Sequence, residues 1–182
     1  MILQTDTQEL FKAVAYTVEI ALIFALKKPL SREDKFMTQD KKREYLITEL
    51  LKERSEYADI SIPNYETEQK KLLRALFNVR LPVPIGDAFL RVQYEYLQEE
   101  IAQKGITSID DLEPIKPDIY LWQGDITTLK CDAIVNAANS QMLGCFCPNH
   151  GCIDNAIHTF SGIQLRLKCA EIMQKQGIDE ET

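Results

Sequence analysis

Apolar residues recur at helical spacing through much of this chain, and the pattern changes character only past its middle. Over residues 41–54 (KKREYLITELLKER), Tyr45, Leu46, Glu49, Leu50 and Leu51 fall on one stripe, apolar but for the glutamate, which predicts an amphipathic helix. ISIPNY breaks that pattern at Pro63. A second helix is predicted over residues 66–78, with Leu72, Leu73, Leu76 and Phe77 on one face, and LPVPIGD follows it as a turn. The third, residues 88–103, carries Phe89, Leu90, Val92, Tyr96, Leu97 and Ile101, and Gly105 stops it.

Beyond ITSIDDLEPIKPD the period shortens. Residues 119–123 (IYLWQ) and 133–136 (AIVN) read as short strands. Neither alternates cleanly, which suits strands buried on both faces of an α/β sheet. Helical spacing returns at Ile153 and runs to Phe160, where Ser161-Gly162 interrupts it. It resumes over residues 163–176 with Leu165, Leu167, Ala170, Ile172 and Met173. The chain therefore divides near residues 112–117. Residues 1–112 form a helical region, and an α/β unit occupies residues 113–182.

Composition narrows the function. Of 182 residues, 45% are apolar and 27% charged, and the net charge of −7 disfavours a nucleic-acid partner. Acidic residues outnumber basic ones on both sides of Glu113, so neither part is a cationic surface. An anionic small ligand remains compatible, because helix N-termini and loop amides bind phosphate without Lys or Arg. The most apolar stretch, residues 13–26 (AVAYTVEIALIFAL), carries Glu19 and falls short of the roughly 20 apolar residues that span a bilayer. A buried or partner-seeking helix is expected there, and no membrane role. The start, MILQTDTQELFK, lacks the cationic segment and cleavage site of a secretory signal, so the cytoplasm is the expected compartment.

The chemistry concentrates in GCFCPNHGCIDNAIH, residues 144–158. Three of the five cysteines and a histidine lie within eight positions of it, as Cys145, Cys147, His150 and Cys152. In a reducing compartment such a cluster binds metal rather than forming disulfides. Cys145, His150 and Cys152 around the turn-forming Pro148, Asn149 and Gly151 would leave zinc an open, catalytic position. Adding Cys147 would close a structural Cys3His site. Spacing alone leaves both open. Asp154 reads equally as a helix N-cap and as a carboxylate that positions or deprotonates water. His158 reads as a packed core histidine. Asn136 and Asn139 stand at the strand end and in the loop after it, the edge where open α/β sheets bind ligands, although asparagine is also common in turns.

Taken together, QGDIT (residues 123–127), DAIVNAANS (132–140) and GCFCPNHGCIDNAIH resemble the macrodomain family, and more narrowly its zinc-containing microbial branch that removes ADP-ribose from proteins. LLRALFNVRLPVP (72–84) and FLRVQYEYLQEE (89–100) resemble the N-terminal extension of that branch. The resemblance runs from about Lys41 to the last residue. It implies the first strands and helices of a three-layer α/β/α fold and a hydrolase acting on a mono-ADP-ribosylated protein. Asp125 and the Ile126 amide would meet adenine, and Asn136 and Asn139 would hold the distal ribose. Cys145, His150 and Cys152 would bind zinc, with Cys147 at a variable position, and Asp154 and Asn139 would be catalytic. A macrodomain continues with further strands and a glycine-rich diphosphate loop, which residues 117–182 lack. A piece of a longer protein, weak or inactive alone, is therefore expected. The rival readings are an ADP-ribose reader without chemistry and a zinc-clipped interaction fragment.

Overall fold

A computed structural model describes residues 37–177. The apolar stretch 13–26 lies outside the described residues. Those described fold into five α-helices and two short sheets. Helix α1 (Gln39–Lys52) starts at Thr38, whose hydroxyl accepts the Lys41 amide. Helix α2 spans Glu66–Val79 and α3 spans Asp87–Lys104, ended by Gly105 at φ 89°. Each lies within two residues of its predicted bounds, and the predicted stripes share most of the buried faces. Helix α1, however, also buries Arg43 and Ile47, outside its stripe, and leaves Glu49 partly exposed. Among the described residues, no helix is long and apolar enough to cross a membrane.

These three helices enclose the main core. Leu46, Ile47 and Leu50 of α1 meet Leu73, Leu76 and Phe77 of α2 and Phe89, Val92, Tyr96 and Leu97 of α3. Polar links tighten the assembly. Arg80, after α2, makes a two-pronged bond to Glu53, after α1, with both distances 2.8 Å. Buried Arg43 donates to Gln69 and Asp40.

The strands depart from the sequence pattern. Strand β1 (Thr107–Ser108) pairs parallel with β4 (Leu129–Lys130), and β2 (Pro114–Lys116) pairs antiparallel with β3 (Ile119–Tyr120). The run at residues 133–136 is not a strand, since no neighbour pairs with it, and Val135 is 66% exposed. The 119–123 run keeps only its first two residues in a ladder, and Leu121 is 78% exposed. Burial on both faces is thus not found for either run. The architecture among the described residues is nonetheless mixed α/β.

Helices α4 (Ile153–Phe160) and α5 (Ile163–Gln176) match their predicted bounds. A second, smaller core joins Ile157 of α4 to Leu165 and Cys169 of α5. Fully buried Gln93 of α3 fixes the start of α5. Its oxygen accepts the Ile163 amide at 3.0 Å, and its amide group donates to Gln164. Gly162 (φ 79°) makes the corner between α4 and α5, where a Cβ would collide with that same Gln93 amide. Side chains therefore bridge the helical region and the residues after 112. Gln93→Ala strands the Ile163 amide and the Gln164 carbonyl. It is expected to destabilise the chain by about 1–3 kcal/mol, read as a lower urea midpoint at unchanged slope.

Candidate metal and ribose site

The segment from Met142 to Cys152 has turns but no regular structure, so its shape comes from what it touches. Its first anchor is Gly144. At φ 82° it lies against the His158 ring, where a Cβ would stand 2.7 Å from Cγ. The Asn139 side chain holds the preceding turn, donating to the Gly144 carbonyl at 3.3 Å and accepting the Gln141 amide at 3.1 Å. Two residues of the segment, Met142 (φ 56°) and Asn149 (φ 55°), take left-handed backbone.

The segment brings Cys145, His150 and Cys152 together. Their donor atoms all lie within 4.8 Å of one another, with Cys145 Sγ 3.6 Å from His150 Nδ1. Zinc bonds of about 2.3 Å to sulfur and 2.0–2.1 Å to nitrogen, set at a tetrahedral angle, hold those two atoms roughly 3.6 Å apart. The donor set fits zinc. Cys147 is exposed and stands outside the trio; its carbonyl accepts from Asn155 at 3.0 Å. Three donors leave a coordination position open.

Cys152 has a further task. It is the N-cap of α4, its sulfur accepting the Asn155 amide at 3.4 Å. Asp154 is therefore not the cap, which corrects one of its two sequence readings. It lies in the first turn, 4% exposed, and its Oδ1 accepts from Asn136 Nδ2 at 2.8 Å. The same oxygen is 3.7 Å from His158 Nε2. His158 is buried, as its packed reading expects. Burial depresses its pKa to about 4 against the pull of Asp154, and the Arg166 charge adds to the depression. The imidazole is thus neutral at physiological pH. Asn136 Oδ1 is buried without a partner among the described residues.

Asp125 sits apart from this group. It caps the short 3-10 turn Ile126–Thr128, accepting the Thr127 amide at 3.0 Å and pairing with Lys104 at 2.9 Å. Partial burial works against its charged form, but Thr127 and the Lys104 ammonium outweigh it and lower its pKa. A cavity of about 900 Å³ between α2, α3 and α4 is lined by both Asp125 and Cys152. Asn136 and Asn139 do not line it; they gather instead around Asp154 and Gly144.

Four residues at this site were not foreseen. Arg74 and Asn78 of α2 and Asn155 of α4 reach the metal segment, and Arg166 of α5 donates to the Leu143 carbonyl at 2.6 Å and stacks 4.4 Å from the Phe146 ring centre. The available clue was polar residues set four apart, Arg74 and Asn78, beside an apolar stripe.

Over residues 135–181 the chain matches the model of the Macro domain family, a span that takes in Asn136, Asn139, the Cys/His segment and the last two helices. It is also similar to whole proteins. A Protein-ADP-ribose hydrolase of Treponema medium is 57% identical over 150 residues, 80% of this chain and 58% of that protein. A Protein-ADP-ribose hydrolase of Staphylococcus aureus (strain MRSA252) is 49% identical over 138 residues, 75% of this chain and 52% of that protein. A Probable bifunctional ADP-ribose hydrolase/ADP-ribosyltransferase of Fusarium oxysporum f. sp. cubense is 41% identical over 128 residues, 64% of this chain and 21% of that protein. The chain thus spans little more than half the length of the two bacterial relatives.

Two outcomes follow from the geometry. Cys147→Ser is expected to leave zinc affinity within about twofold, while Cys145→Ser weakens it by two orders of magnitude or more, measured by chelator competition. Strong weakening by Cys147→Ser would mean a closed site. The neutral His158 also makes stability depend on pH. Its folded pKa of about 4 lies below the unfolded value of 6.5, so the unfolded chain binds the extra proton between those values. Its contribution is complete above pH 6.5 and is lost as pH falls towards 4. Urea unfolding of the metal-free chain across that window should show a slope that His158→Gln reduces.

Proposed function

We propose that this chain carries the metal- and ribose-binding part of a zinc-dependent hydrolase that removes mono-ADP-ribose from modified protein side chains. One observation carries the reading. A convergent Cys145/His150/Cys152 trio is followed, two residues on, by a buried carboxylate hydrogen-bonded to Asn136, whose own oxygen has no partner among the described residues. The names and the degree of identity of the bacterial relatives support it.

A ribose hydroxyl is a donor of the kind that Asn136 Oδ1 lacks. Asn139, at the surface, keeps one amide hydrogen and one lone pair beyond its two bonds within the turn, enough to meet a second hydroxyl. Asp125 keeps acceptor capacity beyond Thr127 and Lys104 for an adenine amino group, with the Ile126 amide beside it. Cys145, His150 and Cys152 would hold zinc, which would supply a Lewis acid to the reaction.

In the hydrolysis, water adds to the anomeric carbon of the distal ribose, the bond to the protein side chain breaks, and the water proton ends on the departing group. Asp154 orients that water or the adjoining ribose hydroxyl and takes the proton in transit. Neutral His158 stands behind it at 3.7 Å. A cytoplasmic site of action agrees with three free thiols in one segment.

Asp154→Ala separates chemistry from binding. Release of ADP-ribose from a mono-ADP-ribosylated protein is expected to fall about 10²–10⁴-fold, with ADP-ribose affinity largely kept. Retained turnover would refute the role given to Asp154. A parent chain that binds ADP-ribose but releases none would instead be a reader.

A further inference from the structure

The metal segment has little structure of its own. Between Cys145 and Cys152 the one backbone bond within it runs from the His150 amide to the Cys147 carbonyl at 3.3 Å. Its remaining anchors come from outside, and the most distant in sequence belong to α2. Arg74 donates to the His150 carbonyl at 3.0 Å, and the same guanidinium grips Asn155 Oδ1 at 2.8 and 3.1 Å. Asn155 passes the constraint on, its amide donating to the Cys147 carbonyl at 3.0 Å. One turn along α2, Asn78 accepts the Asn149 amide at 2.9 Å and donates to Thr159 at 3.0 Å. Asn78 and Asn155 are 1% and 0% exposed, whereas the Arg74–His150 bond lies at the surface.

The placement of these anchors is informative. Asn149 and His150 are consecutive, and the first holds the left-handed backbone that turns the imidazole back towards Cys145. Asn78 fixes the amide of that strained residue, and Arg74 fixes the carbonyl of the ligand itself. Asn155, gripped by the same arginine, sits in the first turn of the helix that Cys152 caps. Two of the three donors are therefore set from one face of α2, a helix of the region that precedes the α/β part.

We propose that Arg74 and Asn78 are positioning residues for the Cys145/His150/Cys152 cluster, so that α2 sets its affinity for a thiophilic divalent cation. The inference rests on reading that trio as a cation site, and it adds that the site is preorganised by the helical region. A segment already held in its bound shape loses less freedom on binding than a loose one. Groups that orient metal ligands without touching the metal typically govern about 10- to 100-fold in affinity.

The test uses the full 182-residue chain. Zinc affinity by chelator competition is expected to fall about 10- to 100-fold in Arg74→Ala and in Asn78→Ala. Glu68→Gln, exposed on the same helix, should leave it unchanged. Arg74→Lys keeps one donor nitrogen but loses the second bond that Nε makes to Asn155, and it should give an intermediate loss. The visible absorption of the cobalt(II)-loaded protein reports donor geometry; it should change in the alanine variants and recover in part in Arg74→Lys. Zinc affinity within twofold of the parent in both alanine variants, with an unchanged cobalt spectrum, would overturn the proposal. A metal-free readout separates it from the metal reading. In the presence of chelator, the Asn149 amide should exchange its hydrogen at least about tenfold faster in Asn78→Ala than in the parent, as befits a lost buried bond. Unchanged exchange would overturn the positioning role even if zinc binds. Faster exchange in a chain that binds no zinc would uphold the anchoring of the segment and sink the cation site.

Discussion

The guanidinium of Arg166 is the constraint around which the rest of the site is arranged. It is 5% exposed, and burial pulls its pKa down to about 10, so it still carries its charge at neutral pH. A charge taken out of water costs several kcal/mol unless acceptors surround it. Arg166 finds them in three places at once. The Phe77 and Arg80 carbonyls end α2, where helical carbonyls lack partners and the helix dipole is negative. The Leu143 carbonyl opens the metal segment, and the Phe146 ring lies inside it. Separating α2, the segment and α5 would leave a buried cation unpaired. Arg166 and the pair Arg74 and Asn78 thus hold the segment from opposite ends.

This arrangement explains how a stretch without regular structure can bring Cys145, His150 and Cys152 together. Its glycines and left-handed residues allow the bends, but they do not choose among them. The choice is made by buried polar groups on three helices, each with a specific acceptor or donor to satisfy. The chemistry then sits at a junction. Cys152 ends the metal segment and begins α4 in one residue, and Asp154 follows within the first helical turn, facing Asn136 and His158.

The helices were legible in the sequence because each buries a stripe that local periodicity reveals. Bounds for α4 and α5 agree with the 3.6-residue pattern, down to the Ser161-Gly162 break. Strands were not, since a strand exists only with a partner. Ile134 and Val135 have β-prone side chains and no ladder, whereas Thr107-Ser108, unremarked in the pattern, gains one from Leu129-Lys130. The Cys/His cluster was legible because its members are close in sequence and chemically distinctive. Between three and four donors the sequence did not choose; the fold draws Cys145, His150 and Cys152 together and leaves Cys147 outside that group. The cap of α4 was misassigned to Asp154 because carboxylates usually cap helices, and here the Cys152 sulfur takes the role. Arg74, Asn78 and Arg166 act across 23 to 89 residues of sequence, beyond the reach of any local pattern.

On the proposed function, the Cys/His segment, the Asp154–Asn136 pair and the Asp125 turn each contribute contacts to ADP-ribose. Calorimetric titration of ADP-ribose into the zinc-loaded chain tests that most directly. Weak but saturable binding, at one ligand per chain, is the expected result. No binding while zinc is held in full would contradict it, and would place the missing contacts outside this sequence.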